Sequence, residues 1–334
     1  MKKFIKYIII YSIPLAVAFM FYAMVDPFKV VWHYDNYYTE PYWLTLNMDY
    51  IGTTNYDNKR DLYHYDSFIL GNSRSRCWRI EDWKKYIGND ISGYHMDGHG
   101  ECQLGLERKV EYICAHSDKV KNVLMIIDQS VFTNPDRCTI HFRYLSPRLD
   151  HYKNFIAFHV ANFKAFYTPQ FLMTYLKYKF YDKGKGLAPE GNLFVKKDYY
   201  DPIRNEYLPM RSEKKIEEGS FYDKERLQMF KDKQYPDSIY PVVITEDRQE
   251  RLIKMAELLK SKKTNVKIVI SPLYDQIKMN PKDVRILKSI FGNNNVYDFS
   301  GDKNITKDYH NYYEDSHYRI GIADSLLKII YNHD

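Results

Sequence analysis

Two patterns of hydrophobic residues alternate along this chain, one typical of buried strands and the other typical of amphipathic helices. Short apolar runs predict buried strands at residues 67–70, 90–96, 120–127, 266–270 and 296–299. Between them, apolar residues recur every three or four positions, which predicts helices at residues 78–87, 106–114, 248–260, 281–290 and 322–330. Alternating strands and helices imply a parallel sheet with helices on both faces. We therefore predict an α/β fold with about five parallel strands, in order with flanking helices.

The N-terminus carries the longest apolar run. Three lysines precede a stretch without charge over residues 7–25, and Asp26 follows it. About 19 residues, at 1.5 Å per residue, are enough to cross a hydrocarbon core of about 30 Å. Since basic residues stay in the cytoplasm, the chain after Asp26 should lie outside it. We predict a transmembrane anchor over residues 1–26. A cleaved signal peptide with its site at residues 16–18 is the alternative, but the apolar run continues beyond that site.

Two segments depart from the alternating pattern. Residues 27–60 are rich in Tyr, Trp and Asp without a clear period, and we interpret them as a juxtamembrane arm. The α/β domain then occupies residues 61–334. A helical insertion interrupts it at about 151–240, where an aromatic helical stretch precedes a polar one. The insertion would cover or extend the rim of the sheet, although residues 183–224 suit a solvated loop equally well.

Charge and cysteine usage remove several classes of function. Lys and Arg number 49 against 43 for Asp and Glu, and this net charge of +6 is too weak and too dispersed for a nucleic-acid-binding protein. No Cys-x-x-Cys spacing occurs, so a zinc site is not expected. Outside the cytoplasm the four cysteines are free to form disulfides, and three pairings are open. Cys114 lies on an apolar helix face, and we interpret it as a small buried hydrophobe.

Residues with catalytic chemistry follow the first and the last predicted strands. Ser73 comes after the first strand and His317 after the last. The carboxyl ends of parallel strands share one edge of the sheet, so both residues belong to the same rim. Serine is a weak nucleophile that needs a base, and the base needs a carboxylate to orient it. Either Glu314 or Asp315 is placed to orient His317. A helix N-cap is the other common role for a serine at this position.

The two motifs resemble the first and last blocks of the SGNH (GDSL-type) hydrolase family, in particular its membrane-anchored bacterial envelope members. The Gly-Asn-Ser sequence at residues 71–73 stands where the family has Gly-Asp-Ser. His317, preceded by acids, stands where the family has the histidine of Asp-x-x-His. The resemblance covers residues 61–130 and 245–332.

The chain departs from the family pattern at three points. Asn72 replaces the usual acid beside the nucleophile, and Glu314 replaces the aspartate three residues before the histidine. The Gly-x-Asn-Asp block of the family is missing, and residues 127–130 (Ile-Asp-Gln-Ser) occupy its place.

The resemblance implies a three-layer α/β/α, flavodoxin-like parallel sheet and a serine-dependent ester hydrolase or acyltransferase without a cofactor or a metal. Ser73 would attack the carbonyl and His317 would carry the proton. The spacing of the family favours Glu314 over Asp315 as the orienting acid. Backbone N–H groups of Ser73 and Gly98 would hold the oxyanion, and the side-chain amide of Gln129 would replace the missing donor. An ordinary turn is the other interpretation of Gly98.

Other polar residues lie close to these motifs. Arg74 is next to the nucleophile and would bind an anionic substrate group such as phosphate or uronate, with a surface ion pair as the alternative. His95, Asp97 and His99 alternate along an extended segment, so their side chains would share one side. We do not expect a metal site there, because metal sites need fixed geometry and the segment contains two glycines.

These observations predict an exported, membrane-anchored SGNH-like serine esterase or O-acyltransferase. A single N-terminal span would lie in the bacterial cytoplasmic (inner) membrane, with the catalytic domain on the extracytoplasmic side. The substrate would be acyl groups of an envelope polysaccharide or lipid-linked polymer, and the resemblance implies a membrane-bound O-acyltransferase as a partner. The alternative is a catalytically degenerate SGNH scaffold that binds glycan or docks such an acyltransferase. The missing block and the substitution at Asn72 favour this alternative.

The predicted topology is testable with reporter fusions. A reporter enzyme that is active only outside the cytoplasm, fused after Asp334, should be active, because the lysines at the N-terminus hold that end inside. Replacing all three lysines with glutamate should lower this activity. Activity of a cytoplasm-only reporter at the same position would contradict the prediction.

Overall fold

The computed structural model describes residues 1–39, 42–182, 194–196 and 198–332. The α-helices in this part of the chain are α1 (Lys2–Val25), α2 (Met48–Tyr63), α3 (Ile80–Ile87), α4 (Gln103–His116), α5 (Gln129–Thr133), α6 (Phe155–Phe166), α7 (Pro169–Lys177), α8 (Met210–Glu217), α9 (Lys224–Phe230), α10 (Glu246–Ser261), α11 (Pro281–Phe291), α12 (Lys303–Thr306) and α13 (Ile320–Tyr331). The β-strands are β1 (Tyr42–Leu44), β2 (Ser67–Asn72), β3 (Gly93–Gly98), β4 (Asn122–Ile127), β5 (Phe194–Lys196), β6 (Tyr199–Asp201), β7 (Glu206–Leu208), β8 (Asn265–Ile270), β9 (Val296–Asp298), β10 (Tyr312–Glu314) and β11 (His317–Tyr318).

The chain divides into two compact units. The first unit contains Met1–Ile51 and Thr139–Lys197, and the second contains Gly52–Cys138 and Asp198–Asp334. The second unit holds the α/β sheet with β2, β3, β4, β8 and β9. The first unit holds α1, α6, α7 and the antiparallel pair of β1 with β5.

The sheet of the second unit has five strands in the order β3-β2-β4-β8-β9, and every pairing within it is parallel. The prediction of an α/β fold with five parallel strands is confirmed. The strands do not follow chain order, because the first strand of the sheet, β2, lies between β3 and β4. This 2-1-3-4-5 order is that of flavodoxin-like doubly wound sheets, which bind ligands where β2 and β4 diverge.

Side chains of the central strands alternate between two hydrophobic cores. On β2, Phe68 and Leu70 face the first core, while Ile69 faces the second. Strands β4 and β8 alternate in the same way, because successive side chains of a strand point to opposite faces. Helices α2, α4, α10 and α11 contribute to the first core, and α3 and α13 contribute to the second. The sheet therefore lies between two layers of helices.

The N-terminal helix α1 is long and apolar enough over Lys3–Val25 to cross a membrane, and it is the one such helix within the described residues. A signal sequence near the N-terminus has the same features. The helix ends at Asp26, which adopts a left-handed conformation with φ of 38°. The Asp26 carboxylate is buried and accepts hydrogen bonds from the backbone N–H groups of Val30, Val31 and Trp32 at 2.9–3.1 Å. This carboxylate ties the end of the helix to the segment that follows.

The structure differs from the predicted domain boundaries at two places. The supposed arm at 27–60 includes the first part of α2, a regular helix that continues to Tyr63 and whose mixed composition hides its period. The supposed insertion at 151–240 is divided, since residues up to Lys197 belong to the first unit and those from Asp198 to the second. Residues 183–193 and 197 of that segment lie outside the described residues.

The four cysteines form no disulfide with one another, so none of the three pairings left open is present. Cys114 lies in the first core with 4% exposure, which confirms its interpretation as a small buried hydrophobe. Cys77 is also buried, and its thiol donates to the carbonyl oxygen of Tyr318.

Gly71 allows an unusually close contact between β2 and β4. A Cβ atom at this residue would lie 2.4 Å from the carbonyl oxygen of Ile126, a distance that real Cβ atoms essentially never show. A side chain at residue 71 would therefore push the two central strands apart just before Asn72, where β2 ends.

Replacing Gly71 with alanine should destabilise the protein by about 1–3 kcal/mol, the usual cost of overpacking. The measurement is the midpoint of urea unfolding for the full chain in detergent. The matched control is Gly321→Ala in α13, where an added Cβ meets nothing within 4 Å. This control should be neutral or stabilising by up to about 1 kcal/mol, because alanine favours helices. Equal midpoints for the two variants would contradict the predicted strain at Gly71.

Candidate active site

Ser73 begins a 3₁₀ turn, Ser73–Cys77, directly after β2. Asn72 caps this turn, since its side-chain oxygen accepts a hydrogen bond of 3.0 Å from the backbone N–H of Arg74. The cap ends the strand and turns the chain, so the Ser73 side chain lies at the carboxyl edge of the sheet. The N–H of Ser73 is the first of the turn and has no partner within it. The alternative role of Ser73 as an N-cap is filled by Asn72 instead.

His317 lies on a short antiparallel hairpin formed by β10 and β11. Glu314 and His317 are paired residues of the two strands, separated by a two-residue turn. The hairpin places their side chains next to each other. His317 Nδ1 is hydrogen-bonded to Glu314 Oε1, and His317 Nε2 lies 2.6 Å from Ser73 Oγ. The structure thus brings together Ser73, His317 and Glu314 in the order of a serine–histidine–acid relay.

Glu314 is fixed as a carboxylate by its neighbours. Burial opposes its charge, but hydrogen bonds and attraction from His317, with further donors from Ser316, lower the pKa of Glu314 to about 2. Its second oxygen accepts from the backbone N–H of Ser316 at 3.0 Å and from the Ser316 hydroxyl at 2.8 Å. Glu314 is therefore charged throughout the physiological pH range and holds the proton of the histidine on Nδ1, which leaves Nε2 to face Ser73.

Asp315, the other acid considered from the sequence, does not contact His317. Its carboxylate lies 3.7 Å from the ammonium group of Lys233. Burial, a side-chain hydrogen bond to Glu314 and the charge of Glu314 together raise the pKa of Asp315. Asp315 lies in the turn of the hairpin, where its side chain bonds to Glu314 and leaves His317 to the Glu314 carboxylate.

Arg74 is held inside the protein and does not stand free for a substrate. Its Nη1 lies 3.0 Å from the carboxylate of Asp128, and its Nε donates to the carbonyl oxygen of Ser316 at 3.2 Å. The surface ion pair considered from the sequence is in fact buried on the acid side, because Asp128 is completely inaccessible. We assign Arg74 to positioning the turn that carries Ser73.

Asp128 was not identified from the sequence, although it follows β4 as directly as Ser73 follows β2. Its carboxylate accepts from the amide of Asn72 at 2.6 Å and from the backbone N–H of Ser130 at 2.7 Å. Burial disfavours the charge, but Arg74 and these donors together lower the pKa of Asp128. The amide at residue 72 has a physical reason, since it donates to Asp128, whereas an acid at this position would repel that carboxylate.

The two residues expected to hold an oxyanion lie at neighbouring strand ends. Gly98 is the last residue of β3 and is in register with Asn72. Gln129 begins α5 immediately after Asp128 and is 6% exposed. Within the described part of the chain its side-chain amide makes no hydrogen bond, so it keeps its donors. All three adjacent strand ends therefore contribute residues to this edge of the sheet.

The alternating polar residues of β3 are engaged with the turn after Ser73. His95 Nε2 lies 2.9 Å from the Ser75 hydroxyl, and Asp97 pairs with Arg76 at 2.5 Å. Burial lowers the pKa of His95 to about 4, so this histidine is neutral. Within the residues that the structure describes, no group of His, Cys, Asp and Glu could hold a metal ion.

A second polar cluster contacts the hairpin that carries His317. The carboxylate of Glu213 on α8 accepts from the Tyr313 hydroxyl and from the Arg319 guanidinium, both at 2.6 Å. Arg226 on α9 donates to the carbonyl oxygen of Tyr313 at 2.6 Å. The polar stretch after residue 198 therefore braces the hairpin that carries Glu314. These contacts have no local signal in the sequence, because each joins residues about 90–110 positions apart.

No protein-family model, curated protein or solved structure matches this chain. The geometry of the site therefore carries the functional argument.

Replacing Asp128 with asparagine should both destabilise the fold and slow the reaction of Ser73 with serine-directed probes. The substitution keeps the shape but leaves the guanidinium of Arg74 without its partner, and a broken buried ion pair costs about 3 kcal/mol or more. Urea unfolding and the rate of probe labelling in native conditions measure the two effects. The matched control is Asp237→Asn, which removes an exposed pair with Lys303 and should change neither.

The double variant Asp128→Asn, Arg74→Gln separates positioning from general damage. Because both members of the pair are then neutral, the double variant should be no less stable than Asp128→Asn alone. Additive losses would show that Asp128 and Arg74 act independently, contrary to the network described above.

Proposed function

We propose that this chain is a membrane-anchored, SGNH-like serine esterase or O-acyltransferase. The observation that carries the proposal is the hydrogen-bonded series from Ser73 Oγ through the two ring nitrogens of His317 to Glu314. Nucleophile, base and orienting acid in this arrangement recur on unrelated folds that catalyse acyl transfer. The SGNH fold and family belong to the proposal, supported by the 2-1-3-4-5 sheet and the motifs at its carboxyl edge.

In the proposed reaction, Ser73 Oγ attacks the carbonyl carbon of an acyl ester while His317 Nε2 takes the serine proton. The tetrahedral intermediate collapses to an acyl-serine when His317 returns that proton to the oxygen of the leaving alcohol. Water in a hydrolase, or a hydroxyl of an acceptor in a transferase, then attacks the acyl-serine with His317 again as the base. The bond between the acyl carbon and Ser73 Oγ breaks, and His317 returns the proton to Ser73 Oγ. Glu314 stabilises the protonated imidazole in both halves and keeps its own charge.

The negative oxygen of the intermediate needs hydrogen-bond donors that are fixed before the reaction. We assign this role to the backbone N–H of Ser73, the backbone N–H of Gly98 and the amide of Gln129. Their support is that they lie at three adjacent strand ends and that the Gln129 amide has no competing partner among the described residues. Asn72 is not available as a donor, because its amide is completely buried and donates to Asp128 at 2.6 Å and to the Ser130 hydroxyl at 3.5 Å.

The nature of the substrate follows from the anchor. We propose that α1 is retained as a membrane anchor, because its apolar segment has the length of a full span. The basic residues at its start favour an extracytoplasmic position for the catalytic domain. An enzyme held at that surface meets acyl groups of envelope polysaccharides or lipid-linked polymers. By resemblance to anchored SGNH members, a membrane-bound O-acyltransferase is the proposed partner.

A fluorophosphonate probe tests the chemistry on the full chain in detergent. Ser73 should be labelled, and Ser73→Ala should abolish the labelling. His317→Ala should slow it by several powers of ten, as the loss of a triad member does. Glu314→Gln should slow it strongly, because the glutamine no longer stabilises the charged imidazole, whereas the matched variant Asp315→Asn should leave the rate nearly unchanged.

Three results would count against this assignment. They are an unlabelled Ser73 in a folded chain, labelling that persists in Ser73→Ala, and equal effects of the two acid variants. The first result would favour the degenerate scaffold, and binding of envelope glycan at the same edge of the sheet would then be expected.

A further inference from the structure

An apolar crevice lies within the first unit, beside α1. Its volume is about 800 Å³, within the range of about 300–1,000 Å³ that is usual for ligand pockets. The second half of α1 forms one wall and α6 forms the other. The apolar lining includes Leu15, Ala16, Phe19, Phe155, Val160 and Phe163.

The Tyr22 hydroxyl of the lining is buried and has no hydrogen-bond partner among the described residues, and the other polar atoms around the crevice are engaged elsewhere or neutral. The hydroxyl of Ser12 donates to the carbonyl oxygen of Ile8 at 2.8 Å, and the hydroxyl of Tyr50 donates to the carbonyl oxygen of Val30 at 3.2 Å. Burial lowers the pKa of His159, so its ring carries no charge at neutral pH. No acid, lysine or arginine is among the described residues that line the crevice. The mainly apolar interior therefore suits a hydrocarbon rather than a charged ligand.

The crevice coincides with membrane depth if α1 spans a bilayer. The wall formed by Ser12 to Tyr22 covers roughly 15 Å along the helix axis, about half of a hydrocarbon core of about 30 Å. This half ends close to Asp26, so the crevice would open into the leaflet on the side of the remaining chain. Only 6% of the apolar window of this helix is buried by protein, so a membrane-spanning α1 would present most of its surface to lipid.

Helix α6 has an exposed apolar surface at the same place. Phe155 is 47% exposed, Ile156 77% and Val160 43%. Three large apolar side chains on one short helix are poorly suited to water, but they are typical of helices that lie in a membrane interface.

A positive charge stands beside the crevice. The guanidinium of Arg148 lies 5.6 Å from the ring centroid of Tyr50, which lines the crevice. An arginine next to an apolar slot complements a phosphate attached to a hydrocarbon chain.

We propose that this crevice binds one hydrocarbon chain of a membrane phospholipid, with the phosphate of the lipid near Arg148. The proposal rests on the retained anchor of the proposed function, but not on the chemistry of Ser73. Its consequence is that the first unit is partly immersed in the outer half of the membrane and uses a bound lipid as part of its packing.

Photocrosslinking tests the proposal on the full chain in phosphatidylglycerol nanodiscs. The probe is a trace of phosphatidylglycerol with a diazirine at the middle of one acyl chain, and crosslinked residues are found by peptide mass spectrometry. We expect crosslinks on Val31, Tyr50 and Phe163, in addition to the lipid-facing surface of α1. Ala16→Trp should fill the crevice and reduce these crosslinks at least tenfold. The matched control is Val17→Trp, a neighbour outside the crevice, which should preserve them.

Two lipid probes, one with a phosphate and one without, test the proposed contact between Arg148 and the phosphate. Arg148→Gln should reduce crosslinking by the phosphatidylglycerol probe several-fold, but not crosslinking by a diacylglycerol probe with the same chain. An equal loss for both probes would overturn the assignment of the phosphate to Arg148.

Two further outcomes would overturn the proposal. Crosslinks limited to outward residues of α1 in an intact chain, or no effect of Ala16→Trp, would show that no lipid chain enters the crevice. An intact mass that begins beyond residue 18 would reject both the anchor and the crevice. Labelling of Ser73 by a fluorophosphonate reports the second unit independently, so failure of the serine chemistry is distinguishable from failure of lipid binding.

Discussion

The candidate site depends on the hydrogen bonds and the ion pair made by the buried carboxylate of Asp128. A charge without solvent access is tolerated only when donors surround it. Here those donors come from Asn72, Arg74 and Ser130, and Arg74 also reaches the carbonyl of Ser316. One carboxylate therefore connects the end of β2, the end of β4 and the turn of the histidine hairpin. The need to satisfy this charge fixes the relative positions of segments that are far apart in sequence.

The topology of the sheet explains why this connection lies at the functional edge. Strand β2 is the second strand of the sheet, with β3 on one side and β4 on the other, so the connections that follow β2 and β3 run in opposite directions along the sheet. At such a switch point the loops after the strands separate and leave room for a ligand. Ser73, Gly98 and Gln129 follow or end these three strands. The absence of a side chain at Gly71 lets β2 and β4 approach closely at this point.

The two units differ in how their apolar residues are packed. The second unit is an α/β domain whose apolar residues are divided between two cores on opposite faces of its sheet. In the first unit, aromatic side chains of α1, α6 and α7 pack in a smaller cluster. That cluster leaves much of α1 and part of α6 uncovered, which is consistent with a surface adapted to lipid rather than water.

The sequence by itself determined the five strands of the parallel sheet, five of the helices beside it, and the placement of Ser73 and His317 at one edge. Periodicity identifies a buried strand or an amphipathic helix, because both patterns are local, and a parallel sheet brings the carboxyl ends of its strands to one edge. Only the tertiary structure showed that Glu314, and not Asp315, is hydrogen-bonded to His317, since that contact depends on the register of a two-residue hairpin turn. The tertiary structure also revealed the buried Asp128, and it showed that Arg74, which the sequence suggested as a substrate-binding residue, is the ion-pair partner of Asp128. Such contacts join distant residues whose identities carry no periodic signal, so their meaning appears only when the chain is folded.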